Sequence, residues 1–327
     1  MGFLACRIYD HNKIEHRLEQ MEIDALSEGD VVVRVAYSGV NYKDALAATG
    51  RGKIMRRFPL NAGIDLAGEV ESSTDARFSP GDKVLANGCG LGENHDGGLA
   101  QYARVPAGWV VPLPAGLSLK EAMIYGTAGF TAALAVHRMQ ENGQSPDMGP
   151  VAVTGASGGV GSIAIAILHR LGFETVAVSS RAEHEPYLRG LGAGRVTAPG
   201  DLGLGDRPLE RAIFGGVIDN IGGDLLSRLI AHVNLWGNVA SIGMAQDIKL
   251  STTVFPFILR GVNLLGASSM NCPMPLRKRI WERLAGDLKP AGLNNILTRE
   301  VPLADVSPIF AQLLDRQLHG RVVVSCA

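Results

Sequence analysis

The chain has 327 residues, of which 46% are hydrophobic and 19% are charged, and its formal net charge is −1. This length favours two domains, the composition excludes a disordered chain, and the charge gives no reason to expect nucleic acid or anionic lipid as a partner. Residues 1–7 lack the cationic start and apolar run of a signal peptide, and the apolar stretch 163–168 is too short to span a membrane. We therefore expect a cytoplasmic protein with no membrane partner.

The first third of the chain is typical of short strands separated by turns. Residues 31–35 and 83–85 each follow a Gly-Asp pair, and residues 63–70 alternate in polarity between flanking glycines. This pattern predicts an irregular, β-rich body.

The middle of the chain changes to an alternation of apolar strands and helices, which predicts an α/β fold with a doubly wound parallel sheet of the Rossmann type. The helical pattern of residues 162–171 ends at Gly172, and residues 275–288 have the spacing of an amphipathic helix. The strands are expected at residues 150–154, 175–178, 216–219 and 237–243.

A glycine-rich segment between the first of these strands and its helix is the strongest local signal for function. Glycines without Cβ atoms allow a tight turn and close approach to a pyrophosphate, and the helix start offers free N–H groups. We assign a dinucleotide to this segment, through Gly155, Ala156, Ser157, Gly158, Gly159, Val160 and Gly161.

The end of the second strand indicates which dinucleotide is bound. NAD sites carry an acidic residue about 20 residues beyond the glycines, where it binds the ribose 2′-hydroxyl. Here the chain reads Ser179, Ser180 and Arg181, with no acid before Glu183. Hydroxyl groups and a guanidinium suit a 2′-phosphate, so we expect NADPH as the cofactor.

Further segments carry a family resemblance over the whole chain. They are Ser-Gly-Val-Asn-Tyr-Lys-Asp at 38–44, Arg-Arg-Phe-Pro at 56–59, Gly-Ile-Asp-Leu-Ala-Gly at 63–68, Tyr-Gly-Thr-Ala-Gly-Phe-Thr-Ala at 125–132, Val-Ile-Asp-Asn-Ile-Gly-Gly at 217–223, and the runs 256–266 and 281–285. With these motifs the chain resembles the medium-chain dehydrogenase/reductase superfamily. Within it, the chain is similar to the zinc-independent quinone oxidoreductases, and most of all to the YhdH/AcuI type, the NADPH-dependent acrylyl-CoA reductases.

The resemblance implies a division into domains and a place for the substrate. Residues 1–122 would form a GroES-like catalytic domain, residues 123–270 a Rossmann domain that binds NADPH, and residues 271–327 a return to the catalytic domain. The substrate would lie in the cleft between the domains. Relatives often form dimers through the edge strand of the Rossmann sheet, so a homodimer through residues 263–268 is expected.

The resemblance also implies that no metal is bound. Zinc-dependent relatives hold the metal with Cys, His and Cys, where this chain has Ser38, Ile64 and Ala128. Isoleucine cannot be a ligand, and a neutral serine is a poor substitute for a thiolate. The carboxylate that follows the histidine in those relatives is matched by Asp65. In place of the structural-zinc segment the chain has residues 88–98, expected to be a glycine-rich mobile loop with one cysteine.

Reduction of a conjugated double bond suits a site without a metal, because hydrogen-bond donors can stabilise the enolate that forms. Tyr42 could donate a proton or hold a thioester carbonyl, and Asn41 could hold the carbonyl. Lys43 and Asp44 are further candidates, but Asp44, together with Lys43 or Arg57, could instead only brace the loop from residue 41 to 44. The alternative is that Tyr42 packs as an aromatic ring and that Lys43 and Asp44 form a surface pair.

The remaining site assignments follow partly from the family and partly from the positions of the residues in the chain. Tyr125 and Thr127 are expected to face the nicotinamide, and Asn220 and Ile242 to lie at strand ends on the cofactor side. The substrate residues are expected to be Asp65 together with Arg56 and Arg57, two of four cations between residues 51 and 57 that could bind the phosphates of coenzyme A.

The expected activity is the NADPH-dependent reduction of a short 2-enoyl-CoA, with acrylyl-CoA as the favoured substrate. A quinone or small-enone reductase with the same fold and cofactor is the alternative enzyme. A different class of protein, an NADPH-binding sensor or structural protein without catalysis, would share the fold but oxidise no NADPH.

Overall fold

The computed structural model describes residues 2–327. Its strands are β1 (Gly2–Asp10), β2 (Ile14–Glu22), β3 (Val31–Val40), β4 (Leu60–Asn61), β5 (Asp65–Ser73), β6 (Lys83–Asn87), β7 (Tyr102–Val105), β8 (Val111–Pro112), β9 (Val151–Thr154), β10 (Thr175–Val178), β11 (Arg195–Thr197), β12 (Phe214–Asp219), β13 (Val233–Ser241), β14 (Asn263–Gly266), β15 (Leu297–Pro302) and β16 (Arg321–Ser325). Its α-helices are α1 (Tyr42–Thr49), α2 (Leu119–Glu141), α3 (Gly159–Arg170), α4 (Glu185–Gly190), α5 (Gly223–Ala231), α6 (Phe255–Arg260), α7 (Met274–Ala285) and α8 (Ser307–Leu314).

The chain forms two compact units. Unit 1 contains the described residues up to 128 together with 269–285 and 297–327, and unit 2 contains 129–268 and 286–296. The change at residue 128 lies within α2, shortly after a break in that helix at Gly126. The predicted ranges 1–122, 123–270 and 271–327 do not include the return of residues 286–296 to unit 2. That each range is a domain with its own role stays a prediction.

Unit 1 is built on β-sheets, as the sequence predicted. A seven-stranded sheet has the order β15-β16-β3-β5-β6-β8, with β7 also paired to β3, and β2-β1-β4 form a smaller sheet. Along β3, Val31, Val33 and Val35 are buried whereas Arg34 is exposed. This alternation places one face of the strand in the core, where the C-terminal strand β16 also contributes.

Unit 2 contains the predicted doubly wound sheet. Its six strands are all parallel and have the order β11-β10-β9-β12-β13-β14. The order reverses between β9 and β12, and ligands of such sheets bind at the carboxyl ends of the strands beside this reversal. The glycine-rich segment follows β9 directly, so the fold places it at that point.

Three local predictions from the sequence need correction. The helix after the glycine-rich segment begins at Gly159 rather than at residue 162, because the last glycines of the motif already have helical geometry. The segment from residue 41 to 44 was expected to be a loop, but Tyr42 begins α1 and Asn41 is its N-cap. The amphipathic helix expected over 275–288 ends at Ala285.

None of the helices formed by residues 2–327 combines the length and the hydropathy that crossing a membrane requires.

Candidate functional site

The phosphate loop, residues 154–161, joins β9 to α3 in unit 2. Gly155 has a φ of +57°, a left-handed conformation that favours glycine. A Cβ atom on Gly161 would lie 2.5 Å from the carbonyl oxygen of Gly155. The first turn of α3 therefore packs against the loop only because residue 161 has no side chain.

The N-terminus of α3 opens at the phosphate loop. Its N-cap is Gly158, which is exposed and supplies no side-chain cap. The first N–H groups of a helix have no partner within the helix, and the helix dipole places partial positive charge there. The phosphate loop therefore fits a pyrophosphate, because free N–H donors and a surface without side chains occur together.

Hydrogen bonds between β9 and β12 fix the start of the phosphate loop. Asn220 donates its backbone N–H to Oγ1 of Thr154 at 2.9 Å and its Nδ2 to the carbonyl oxygen of Thr154 at 2.7 Å. The Thr154 hydroxyl donates to the buried carboxylate of Asp219 at 2.7 Å. Burial raises the pKa of Asp219. Ile242 donates its N–H to the carbonyl oxygen of Asp219 at 2.9 Å, so the structure brings Asn220 and Ile242 to the same edge of the sheet.

The residues expected to select the cofactor lie in a turn at the end of β10. The N–H of Arg181 donates to Oγ of Ser179 at 3.2 Å, and Ser180 is exposed. The Arg181 guanidinium forms no hydrogen bond or ion pair with any of residues 2–327. A free guanidinium beside two serines, with Glu183 exposed further along, is an arrangement that fits a 2′-phosphate.

The polar cluster of unit 1, which is Asn41, Asp44, Asp65, Thr127 and Arg321, is positioned by the register of the seven-stranded sheet. Strands β16 and β3 pair antiparallel with Val322 opposite Val40, which brings Arg321 beside Asn41. Arg321 donates from Nη1 to Oδ1 of Asn41 at 3.1 Å and to the carbonyl oxygen of Val40 at 2.9 Å. Sequence reasoning missed Arg321, because no motif surrounds it and only strand pairing brings it to the cluster.

Asp65 is the centre of the polar cluster. It is fully buried, and Asn41 donates from Nδ2 to its Oδ2 at 2.7 Å. Thr127 donates its N–H at 2.9 Å and its hydroxyl at 2.5 Å. Nη2 of Arg321 lies 3.7 Å from Oδ2 of Asp65. Asp65 therefore organises the cluster. Because its side chain has no exposed surface, the predicted contact between Asp65 and substrate has no support in this structure and stays a prediction.

A break in α2 makes the contact between Thr127 and Asp65 possible. Gly126 has φ +49° and ψ −153°, outside helical geometry. A Cβ atom on Gly126 would lie 2.4 Å from Oδ2 of Asp65. The break directs the Thr127 N–H to the carboxylate. Thr127 is only partly buried, and its expected contact with the nicotinamide stays a prediction.

Asp44 is the second buried carboxylate of the polar cluster. Its Oδ2 accepts the backbone N–H of Asn41 at 2.8 Å and Nδ2 of Asn41 at 3.2 Å, and its Oδ1 accepts the N–H of Ile64 at 2.9 Å. Burial, followed by the negative charge of Asp65, raises the pKa of Asp44 to about 7. Asp44 therefore changes its charge near neutral pH.

Tyr42 and Lys43 follow Asn41 in the first turn of α1. They differ in whether their polar groups already have a partner. Lys43 forms an ion pair with Glu93 at 2.6 Å, so its charge is partly compensated. Tyr42 is 49% exposed, and its hydroxyl forms no hydrogen bond with residues 2–327. Of the four catalytic candidates, Asn41 and Asp44 are held by the cluster, whereas Tyr42 presents an uncommitted donor to solvent.

The cations expected to bind substrate phosphates are all exposed but not all free. Arg57 donates to Oγ of Ser27 at 2.7 Å, and Arg51 pairs with Asp315 at 3.2 Å. The side chain of Arg56 has no such partner among residues 2–327. Arg56 is therefore the more available of the two arginines predicted to contact substrate.

Tyr125 lies in the core of unit 1. It has no exposed surface, its hydroxyl donates to the carbonyl oxygen of Leu284 at 3.2 Å, and its ring packs edge-on against Trp281. The expected contact between Tyr125 and the nicotinamide therefore has no support in these contacts and stays a prediction.

The positions at which zinc-dependent relatives bind metal hold no ligand set. The hydroxyl of Ser38 donates to the carbonyl oxygen of Asp65 at 2.7 Å, and Ile64 and Ala128 are apolar. Within residues 2–327, no group of three or more His, Cys, Asp or Glu side chains forms a candidate metal site.

The segment 88–98 was expected to be a mobile glycine-rich loop, but it is largely buried. Both ring nitrogens of His95 contact backbone carbonyl oxygens, those of Asp96 at 3.0 Å and Glu28 at 2.9 Å. The Asp96 carboxylate accepts the N–H groups of Ser27 at 2.7 Å and Asn61 at 2.8 Å. These contacts pack the segment against its neighbours in unit 1.

Comparison with known proteins adds two family matches. Residues 27–115 match the alcohol dehydrogenase GroES-like domain, and residues 159–285 match the zinc-binding dehydrogenase domain.

Three relatives are similar over nearly the whole chain. Acrylyl-CoA reductase AcuI of Ruegeria pomeroyi is 45% identical over 316 residues, which is 96% of each chain. Bacillus subtilis YhfP, which carries the name of a quinone oxidoreductase, is 46% identical over 94% of this chain and 93% of its own. Its crystal structure with NAD bound has a TM-score of 0.97 and covers 99% of both chains. The structure of Escherichia coli YhdH with bound NADPH is 44% identical, with a TM-score of 0.95, and covers 99% of this chain and 100% of that one.

Proposed function

Because this chain belongs to the medium-chain dehydrogenase/reductase superfamily, in the branch of the YhdH/AcuI oxidoreductases, we propose that it uses NADPH to reduce the conjugated C=C bond of a short 2-enoyl-CoA. Conversion of acrylyl-CoA to propionyl-CoA is the reaction we favour. The similarity to a named acrylyl-CoA reductase over 96% of the chain supports this substrate class.

NADPH is the cofactor that the residues of unit 2 fit. The phosphate loop offers unpaired N–H groups at the start of α3, and the free guanidinium of Arg181 lies where an NAD site carries an acid. Ser179 and Ser180 would add hydroxyl donors to a 2′-phosphate. When bound, NADPH supplies the hydride that reduces the double bond.

The observation that carries the proposal is the uncommitted Tyr42 hydroxyl in the first turn of α1, which Asn41 and Asp44 cap. Reduction at the β carbon of an enoyl thioester places negative charge on the carbonyl oxygen, and a fixed hydroxyl donor stabilises that charge. Asn41 already uses its amide groups within the polar cluster. Tyr42 is therefore the residue that we assign to the carbonyl oxygen or to the proton.

The thioester assignment also uses the cations of residues 51–57. Coenzyme A carries several phosphate groups, and the free, exposed side chain of Arg56 could bind one of them. A quinone or a small enone has no phosphate, so a phosphate-binding role for these cations would favour the thioester.

A quinone reductase is the second candidate, favoured by the 46% identity to YhfP. The deciding experiment compares kcat/KM of the purified protein with NADPH for acrylyl-CoA, crotonyl-CoA, acrolein and benzoquinone. We expect acrylyl-CoA to give the highest value. A higher kcat/KM for benzoquinone than for any enoyl-CoA would select the quinone reductase, and no oxidation of NADPH with any of the four would select a non-catalytic NADPH-binding protein.

We further propose a homodimer through unit 2. Strand β14 is at the edge of the six-stranded sheet, and an unpaired edge is a template for another chain. The apolar side chains of Trp236, Ile258 and Leu259 are each more than half exposed and line one shallow cavity near that edge. Light scattering should give twice the 34.6 kDa mass of one chain for the wild type, and a mass nearer one chain for Ile258→Glu.

A further inference from the structure

The polar cluster of unit 1 contains more acidic groups than basic groups. Asp44 and Asp65 are carboxylates with 2% and 0% exposure, and Arg321, at 3%, is the cation that lies against Asp65. With both carboxylates ionised, the three groups carry a net charge of −1 in a buried site. A buried, uncompensated charge is costly, and taking up one proton removes that cost.

The groups around Asp44 offer no second cation. From β5 it faces Asp65, from β16 it faces Arg321, and from β1 it faces the thiol of Cys6, whose pKa its charge helps to raise. His16 on β2 contacts the carbonyl oxygen of Ala48, in the last turn of α1, and not Asp44. Lys43, on α1 itself, is paired with Glu93.

Ionised Asp44 closes the first turn of α1. All three of its hydrogen bonds come from donors, two from Asn41 and one from the N–H of Ile64. A protonated carboxyl accepts hydrogen bonds more weakly than an ionised one and carries an O–H group that donates, so the contacts that hold this turn weaken when the proton is bound. Tyr42 is the next residue in the chain after Asn41, so a change at the N-cap reaches it directly.

We propose that Arg321, Asp65 and Asp44 are positioning residues that hold Asn41 and the first turn of α1, and that Asp44 exchanges one proton with solution as part of this cluster, which couples the position of Tyr42 to pH. The cluster acts on the reaction only through Tyr42. The part of the inference that concerns catalysis rests on the proposed function, and the part that concerns proton exchange does not.

The first test needs no substrate. In the full-length wild-type protein, the backbone amide signals of Asn41 and Ile64 and the ring signals of Tyr42 are followed by NMR from pH 5 to 8.5. We expect all three to shift with one common midpoint near 7, the pKa that burial gives Asp44. The same midpoint should persist in Asp201→Asn, a matched change at an exposed aspartate of unit 2, and should vanish in Asp44→Asn.

The outcomes of this titration are decisive. Amides that do not titrate in the wild type, or that still titrate in Asp44→Asn, would overturn the proton exchange. Amides that titrate while the ring of Tyr42 does not would overturn the coupling to Tyr42. Since the wild-type titration alone can give either negative result, the test does not depend on the variants folding.

Two substitutions of Arg321 separate its charge from its hydrogen bonds. Arg321→Lys keeps a cation near Asp65, whereas Arg321→Met removes it. Loss of a neighbouring cation raises the pKa of a carboxyl by about one unit or more. We expect the midpoint of the Ile64 amide to rise by about that amount in Arg321→Met and to change less in Arg321→Lys. A wild-type midpoint in Arg321→Met would mean that the charge of Arg321 does not act on Asp44.

The kinetic test follows kcat with NADPH and acrylyl-CoA over the same pH range. The ionised form of Asp44 keeps the turn closed, so kcat should rise with pH around the NMR midpoint, and this limb should be lost in Asp44→Asn while KM for NADPH stays unchanged. A limb that persists in Asp44→Asn would overturn the coupling to catalysis. If the NMR titration is present but no enoyl thioester is reduced, the proposed function fails and the proton exchange stands.

Discussion

Arg321 donates a hydrogen bond from Nη1 to Oδ1 of Asn41, a residue 280 positions earlier in the chain. The contact joins the first residue of the last strand to the N-cap of the first helix. It exists because β16 pairs with β3 in a register that puts Val322 opposite Val40. The C-terminal strand thus completes the cluster that holds the proposed catalytic turn.

Substitution of Arg181 tests the choice of cofactor. Arg181→Ala removes charge-assisted hydrogen bonding to a 2′-phosphate worth about 1.5–3 kcal/mol in total, so Kd for NADPH should rise roughly 10- to 150-fold. The Kd for NADH should hardly change, because NADH has no 2′-phosphate. Fluorescence titration with both nucleotides measures the two constants, with Arg211→Ala, an exposed arginine of unit 2, as the matched control. An equal loss for both nucleotides would mean that Arg181 supports structure and does not select the phosphate.

Substitution of Tyr42 tests the proposed chemistry. Tyr42→Phe keeps the ring and removes the hydroxyl, so kcat for acrylyl-CoA should fall about 10²-fold or more, as for other general acids and oxyanion donors. KM for NADPH should stay near the wild-type value. Tyr102→Phe, at a ring that packs against Phe3 in unit 1, is the matched control and should keep full activity. Unchanged kcat in Tyr42→Phe would mean that Tyr42 only packs as an aromatic ring and that Asn41, Lys43 or a bound water acts in its place.

We predict that the activity needs no metal, because of the residues that occupy the positions of the zinc ligands of relatives. Ile64 has no ligand atom, and the Ser38 hydroxyl is already bonded to the carbonyl oxygen of Asp65. Elemental analysis of the purified protein should find no stoichiometric zinc, and a strong chelator should leave the rate of enone reduction unchanged. About one tightly bound metal per chain, lost together with activity, would contradict this reading of Ser38 and Ile64.

Asp44 should make stability depend on pH in a direction opposite to that of most carboxylates. Burial raises its pKa from the ordinary value of 3.8 to about 7 in the folded protein. Between these pH values the folded protein keeps the proton, whereas the unfolded chain releases it. The stabilising contribution is complete below pH 3.8 and is lost as the pH rises through about 7. The free energy of unfolding of Asp44→Asn, relative to wild type, should therefore increase between these limits, by a total on the order of 4 kcal/mol.

Urea denaturation of the wild type and Asp44→Asn at several pH values measures this difference. The Asp201→Asn control should run parallel to wild type throughout. If Asp44→Asn also runs parallel to wild type between pH 4 and 8, Asp44 does not hold its proton in the folded state.

The amino-acid sequence by itself determined the features that depend on neighbouring residues. Alternation along β3 and the glycines from Gly155 to Gly161 specify a half-buried strand and a tight turn before a helix, because steric limits and strand periodicity act over a few residues. The parallel sheet of unit 2 followed from the alternation of such elements, and the residues at 179–181 followed from a fixed spacing after the glycines.

Only the tertiary structure decided how the polar cluster is assembled. No local pattern distinguishes Arg321 from another arginine at the start of a strand, and sheet register alone brings it to Asn41. Burial, which depends on the packing of the whole unit, gives Asp44 its raised pKa, places Tyr125 in the core and leaves Tyr42 half exposed. These properties arise from contacts between residues far apart in the chain, so the order of residues near each of them does not specify them.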